Sequence, residues 1–249
     1  MFDTKRYQTS TMTRTHDPRP SLETMPDEIL LRILNYALSL PRGIHFNRWH
    51  ALKELRLHSV RRIKALSQIS LEAFYGTNVV TIGPSNFGLR RMEERRSGAP
   101  DRLYIQYPPT EVNHWVRRLE IALKVEDFSY RYPPSRNECQ TTWQISWLKR
   151  LAAGHCGFLQ LVRLSLRFDM WPNSRDDGDF WDAMAKWPGK LRENGVDATP
   201  GSMIIFRAPT VEIVVVGHRC TSEPCSTASE DSKACLYVRV LGRFFGTRH

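Results

Sequence analysis

His218, Cys220, Cys225 and Cys235 are the residues whose types come nearest to a metal site, since imidazole and thiolate are the usual structural zinc donors. Their spacing does not follow. Zinc ribbons and fingers join paired ligands through two to four residues, and only the step from Cys220 to Cys225 approaches that. No metal site is expected. Five cysteines, Cys139, Cys156, Cys220, Cys225 and Cys235, are an odd number spread over a long chain, which argues against a disulfide framework and for reduced thiols. Asp169, Asp176, Asp177, Asp179 and Asp182 lack the alternating ligands and closing glutamate of a calcium loop. They read instead as acidic residues that favour the start of a following helix. No serine, cysteine or histidine has a nucleophile's context, and neither a glycine-rich phosphate loop nor a paired-histidine motif occurs. The expectation is a binding protein with no cofactor, not an enzyme.

Charge offers a second kind of chemistry. The chain carries a formal net charge of +10, and summed basic charge steers association with acidic partners. Arg90-Arg-Met-Glu-Glu-Arg-Arg96 is the densest basic run, and Arg61, Arg62, Lys64, Arg117 and Arg118 could extend it into a phosphate-binding surface. Glu93 and Glu94 interrupt the run and allow local pairing on a helix. With no nucleic-acid motif beside it, a solvated face is the favoured reading, and nucleic acid is the less favoured partner.

The elements that would position any site fall into two regions. At 249 residues, with 41% hydrophobic and 25% charged residues, the chain can bury a proper core. No apolar run approaches the roughly 20 residues that span a bilayer, and the N-terminus lacks a secretory apolar stretch, so an intracellular protein of cytoplasm or nucleus is expected, with no membrane partner. Residues 1–20 read as a disordered tail. Residues 21–80 read as a helical module: Ile29, Leu30, Ile33, Leu34, Ala37 and Leu38 recur at helical spacing after Pro26, Asp27 and Glu28, and Pro41-Arg-Gly43 ends the helix. A second apolar series, Leu52, Leu55, Val60, Ile63, Leu66, Ala73 and Phe74, predicts two or three further helical segments.

Residues 81–249 read as a β-α region, entered through a first strand at Val79–Ile82. Further strands are predicted at Leu103–Tyr107, Arg117–Leu123, Val162–Phe168, Val211–Val216 and Leu236–Leu241, with helices at Thr142–Ala153 and Asp179–Asn194. Three of the strands open alike, at Val116-Arg-Arg-Leu-Glu-Ile, Leu161-Val-Arg-Leu-Ser-Leu and Pro209-Thr-Val-Glu-Ile-Val, with starts separated by roughly 45 to 50 residues. That is longer than a regular leucine-rich repeat, and leaves open a degenerate relative with insertions. The fold class is therefore α+β, mixed, with an irregular β-α region after the helices. Trp143, Trp147, Trp171, Trp181 and Trp187 are read as core residues first and as binding anchors only where exposed.

The segment Leu22-Glu-Thr-Met-Pro-Asp-Glu-Ile-Leu-Leu-Arg-Ile-Leu-Asn-Tyr-Ala-Leu38 resembles the opening of an F-box, with Met25, Pro26, Glu28, Ile29, Leu30, Ile33 and Leu34 in its characteristic places. Leu57-His-Ser-Val-Arg-Arg-Ile-Lys-Ala-Leu66 and Phe74-Tyr-Gly-Thr-Asn78 are similar to the second half of the F-box-like domains of filamentous fungi, in which a Phe-Tyr-x-x-Asn element leads into a strand. The resemblance covers Leu22 to Ile82. It implies an adaptor whose helical module binds the Skp-family linker of a cullin-RING ubiquitin ligase while the rest of the chain selects an unknown substrate protein. The partner-binding residues it implies are Pro26, Glu28, Ile29, Leu30, Leu31, Ile33, Leu34, Val60 and Ile63. An amphipathic helix can offer a second apolar stripe to a partner's groove, and Leu31 and Leu34, with Pro26 at the start, are the stripe expected. The competing reading is a plain core helix in a stand-alone interaction domain.

Overall fold

The structure, a computed structural model, describes residues 25–61, 63, 66–83, 87–89, 103–105, 108–125, 134–170, 177–215, 218–220 and 233–247. Helix α1 (Asp27–Ala37) starts behind Pro26, with Asp27 and Glu28 in its first turn where the helix dipole favours negative charge. Leu30, Leu34 and Leu38 recur every fourth residue and are buried. After α1 the chain turns through Gly43, whose φ of 64° is the left-handed conformation that glycine adopts without strain. A Cβ there would also collide with the carbonyl oxygen of Val79. This close approach lets the short strand β1 (Ile44–His45) lie beside the later strand at Val79. Helix α2 (Trp49–Arg61) and helix α3 (Ser67–Thr77) follow, and α3 packs on both α1 and α2.

Strand β2 (Val79–Ile82) leads out of α3 as expected. Strands β3 (Phe87–Leu89) and β4 (Leu103–Ile105) pair antiparallel with each other. Then come β5 (Arg118–Val125), α4 (Pro134–Ala152), β6 (Arg163–Met170), α5 (Asp177–Glu193), β7 (Ile204–Phe206), β8 (Thr210–Val215), β9 (His218–Cys220), α6 (Lys233–Gly242) and β10 (Phe245–Thr247). The main sheet has the order β1-β2-β5-β6-β8-β9, in which the first five strands are parallel and β9 closes the edge antiparallel. The three similarly opening segments of the sequence are thus β5, β6 and β8, three adjacent strands in parallel register.

Each parallel strand lies beside the one before it in chain order, so right-handed crossovers must all pass on the same side of the sheet. Burial agrees. Val80 and Ile82 of β2, Leu119, Ile121, Leu123 and Val125 of β5, Leu164, Leu166 and Phe168 of β6, and Val211, Ile213 and Val215 of β8 form one face. They join a single apolar core with residues from the helices, among them Leu34, Leu57, Phe74, Trp147, Trp187 and Val238. Trp187 meets Phe168 edge-on at 5.1 Å, the geometry that the charge distribution of aromatic rings prefers. The helices of the first eighty residues and those of the β-α region therefore bury their apolar sides in the same core.

One expected strand is a helix. Leu236–Leu241 lies inside α6, where Cys235, Val238 and Leu241 are buried at a spacing of three and Tyr237 stacks on Trp181 at 5.5 Å. The β-branched residues in this segment suggested a strand, but one flank of a helix covers β8 more completely. Phe245–Thr247, for which the sequence suggested no element, pairs parallel with β7. Among the described residues no helix is long and apolar enough to cross a membrane. Expectations for residues 1–20, for Trp171, for Asp176 and for Cys225 lie outside the described residues.

Candidate functional site

Two surfaces of the described residues stand out beside the core. The first is on α1. Ile29, Ile33 and Tyr36 follow one another at helical spacing and are exposed by 44%, 43% and 90%. They form a stripe about a third of a turn away from the buried Leu30, Leu34 and Leu38. Pro26 and Glu28 are exposed at the start of the same helix. The stripe expected from Leu31 and Leu34 is corrected by this arrangement: Leu34 is only 8% exposed and belongs to the core, and Leu31 is partly buried against it. Leu30, also among the implied partner-binding residues, is buried at 4%. Val60 and Ile63 are half-buried, Val60 packing against the core. The structure thus leaves Ile29, Ile33 and Tyr36 on one open flank, with Pro26 and Glu28 exposed in the turn that starts the helix, and puts Leu30 and Leu34 in the core.

The orientation of that flank is fixed by the Phe74-Tyr75-x-x-Asn78 element. Phe74 is fully buried, and the Tyr75 hydroxyl accepts a hydrogen bond from the Trp49 indole at 2.8 Å, which ties α3 to α2. The Asn78 amide is 2% exposed and donates to the carbonyl oxygens of Leu38 and Phe74 at 2.9 and 2.7 Å. Its own oxygen accepts the backbone N–H of Leu40 at 2.7 Å. Thr77 donates to the side chain of Asn35 at 2.7 Å, on the same end of α1. One polar side chain thereby satisfies backbone groups that a helix end leaves open.

The second surface is the face of the sheet opposite the core. Alternation puts Arg118, Glu120, Ala122 and Lys124 of β5 there, with Arg163, Ser165, Arg167 and Asp169 of β6 and Thr210, Glu212 and Val214 of β8. None of these belongs to the core cluster. Arg163 donates through Nε and Nη2 to one oxygen of Glu212, at 3.2 and 2.7 Å. Arg167 bonds to Asp169 at 2.8 Å and lies 3.6 Å from Glu120, while Lys124 is 3.9 Å from Asp169. Burial works against the charge of Arg167, but Asp169 and Glu120 outweigh it and hold the guanidinium above its ordinary value. At the edge of this face His45 is pushed below its ordinary value, chiefly by burial and in part by Arg167 and Arg48, against the pull of Glu120.

Sequence reasoning singled out Arg117 and Arg118 but missed Arg163, Arg167 and their carboxylates. The signal was present in the alternation of charged with apolar residues along β5 and β6. Arg62, Lys64, Arg90–Arg96 and the side chain of Arg61 lie outside what is described, so of the expected basic surface only Arg117 and Arg118 are placed, both exposed at the start of β5. Trp147 and Trp187 are fully buried and Trp181 is partly buried, so none of these three is an exposed anchor, and the side chain of Trp143 lies outside what is described. Among the described residues no group of three or more histidines, cysteines or acids could hold a metal ion. Comparison of the chain with protein-family models, with curated proteins and with solved structures found no match.

Proposed function

We propose that the chain is a non-catalytic adaptor of the F-box-like kind, in which α1 docks the Skp-family linker of a cullin-RING ubiquitin ligase and the β-α region holds a protein to be ubiquitinated. One observation carries the reading: Ile29, Ile33 and Tyr36 form an apolar stripe on the helix that bears the F-box-like residues, and the chain's own core takes a different flank. An amphipathic helix laid into a hydrophobic groove is read through anchors at such spacing. Exposed apolar residues in a row on one helix also call for a partner more than scattered ones do. Asn78, the last residue of the family-like Phe-Tyr-x-x-Asn element, supports the reading by anchoring the end of that helix. The parallel strands in chain order, with helices to one side, support a degenerate leucine-rich-repeat-like arrangement for the remainder.

The test is retention of purified linker by the immobilised protein. Wild type retains it, and the Ile33→Asp, Tyr36→Asp double variant loses at least about tenfold in affinity. Because both side chains are exposed, the thermal transition of the variant stays where it was. Equal retention by the two proteins would discard the adaptor reading.

A further inference from the structure

We propose that the charged face of the sheet binds an acidic segment of a partner protein through Arg118 and Arg163. These two residues are register partners on the adjacent parallel strands β5 and β6, and both are exposed. Like charges placed side by side on a sheet are destabilising, so the pair is not explained by fold stability. Glu212 does not resolve the conflict. It is engaged through a single oxygen by Arg163, and among the described residues Arg118 has no ion-pair partner.

The Glu212 side chain is only 4% exposed while that of Arg163 is 45% exposed. A carboxylate taken out of water to hold a half-exposed arginine gives little net stability. It does fix the guanidinium, with Nε and Nη2 turned to Glu212 and Nη1 left for another acceptor. Arg167, four residues further along β6 and on the same face, repeats the device: its side chain is 46% exposed and it is held by Asp169 and Glu120. The result is a set of arginines whose forks are set in advance by acids beneath them, and guanidinium forks match carboxylate oxygens in pairs. Around Arg167 and Lys124 the charge is balanced by Glu120 and Asp169, and Glu212 offsets Arg163, so the positive charge left over on this face sits at the Arg118 end of the pair. With a chain of net charge +10, the complementary occupant is an acidic protein segment. The inference rests on the adaptor reading only in taking this face as the one that meets the target.

The experiment is fluorescence anisotropy of a fluorescein-labelled oligo-glutamate peptide titrated with the full chain, in low and high salt. Wild type binds the peptide, and binding weakens with salt. Arg118→Glu weakens it at least about tenfold, and Arg163→Lys, which keeps the charge but removes the fork, weakens it measurably. Arg56→Glu, the same charge change on α2, leaves it within about twofold. Loss of equal size in Arg118→Glu and Arg56→Glu, or no binding by wild type, would overturn the proposal. So would tighter binding to single-stranded DNA of equal charge that Arg118→Glu also abolishes. No linker protein is present in this assay, so its failure is distinguishable from a failed linker pull-down.

Discussion

The side-chain oxygen of Asn78 accepts the backbone N–H of Leu40 at 2.7 Å, joining the end of α3 to the segment that leaves α1. The same amide donates to Leu38 and Phe74, so three backbone groups depend on one residue 2% exposed. Replacing it with alanine leaves buried donors and acceptors without partners, and each such group costs about 1 to 3 kcal/mol. Asn78→Ala should therefore lower unfolding stability by about 2 to 3 kcal/mol in urea titration. It should also weaken linker binding more than its stability loss explains, because the stripe on α1 is aimed through this contact. An unchanged urea midpoint would show that the amide is dispensable.

The Arg163 and Glu212 pair allows a prediction of asymmetry. Removing Arg163 strands a carboxylate that is 4% exposed, whereas removing Arg118 strands nothing among the described residues. Water reaches Arg163, so the penalty is well below that of a fully buried pair. Arg163→Ala should cost about 1 to 2 kcal/mol, and Arg118→Ala should stay within about 0.5 kcal/mol of wild type. Glu212→Gln in the Arg163→Ala background should recover most of the loss, since a neutral amide is cheaper to bury than an unpaired acid. Urea unfolding of the four proteins checks all of this. Equal costs for the two arginines would mean that Glu212 is solvated by other means.

Cys156 is partly buried and its thiol is pushed up to about 11 by burial, with Arg150 working weakly the other way. Only the thiolate reacts with alkylating reagents, and at pH 8 about one in a thousand of such thiols is ionised. Iodoacetamide labelling at this site, followed by mass spectrometry of its peptide, should be far slower than for a free thiol and should keep rising above pH 9. A labelling rate at pH 8 equal to that of the unfolded chain would contradict the burial described.

Local chemistry made much of this architecture legible. Val79–Ile82, β5, β6 and β8 are short runs of β-branched and apolar residues whose similar openings mark equivalent positions in one sheet. Helices α1 and α5 carry helical apolar spacing and acidic starts. Leu236–Leu241 misled because Leu236-Tyr-Val-Arg-Val-Leu241 satisfies both periods, and only the presence of β8 beneath it selects the helix. Strands β1, β7 and β10 are two or three residues long and exist through their partners, which no local window contains. The stripe on α1 was misplaced for a related reason. Leu34 and Ile33 are adjacent apolar residues on a helix that is apolar on two flanks, and which flank the chain covers is decided by α3, thirty to forty residues away.

His45 gives the fold a pH dependence of definite sign. Its neutral Nδ1 accepts the backbone N–H of Asn47 at 3.3 Å, starting the short turn Phe46–Arg48 that leads into α2. Burial holds the folded imidazole below its ordinary value, so the unfolded chain takes up the proton first as pH falls. The stability it contributes is thus fully present above about pH 6.5 and is lost as pH drops below that toward the folded value. Asparagine at this position keeps an acceptor for the turn and cannot titrate. Between about pH 7.5 and about pH 5 the urea midpoint of wild type should fall further than that of His45→Asn. The remaining seven histidines of the eight are common to both proteins and cancel in the comparison. Parallel pH profiles for the two would place His45 in water, against its half-buried position on the edge strand β1.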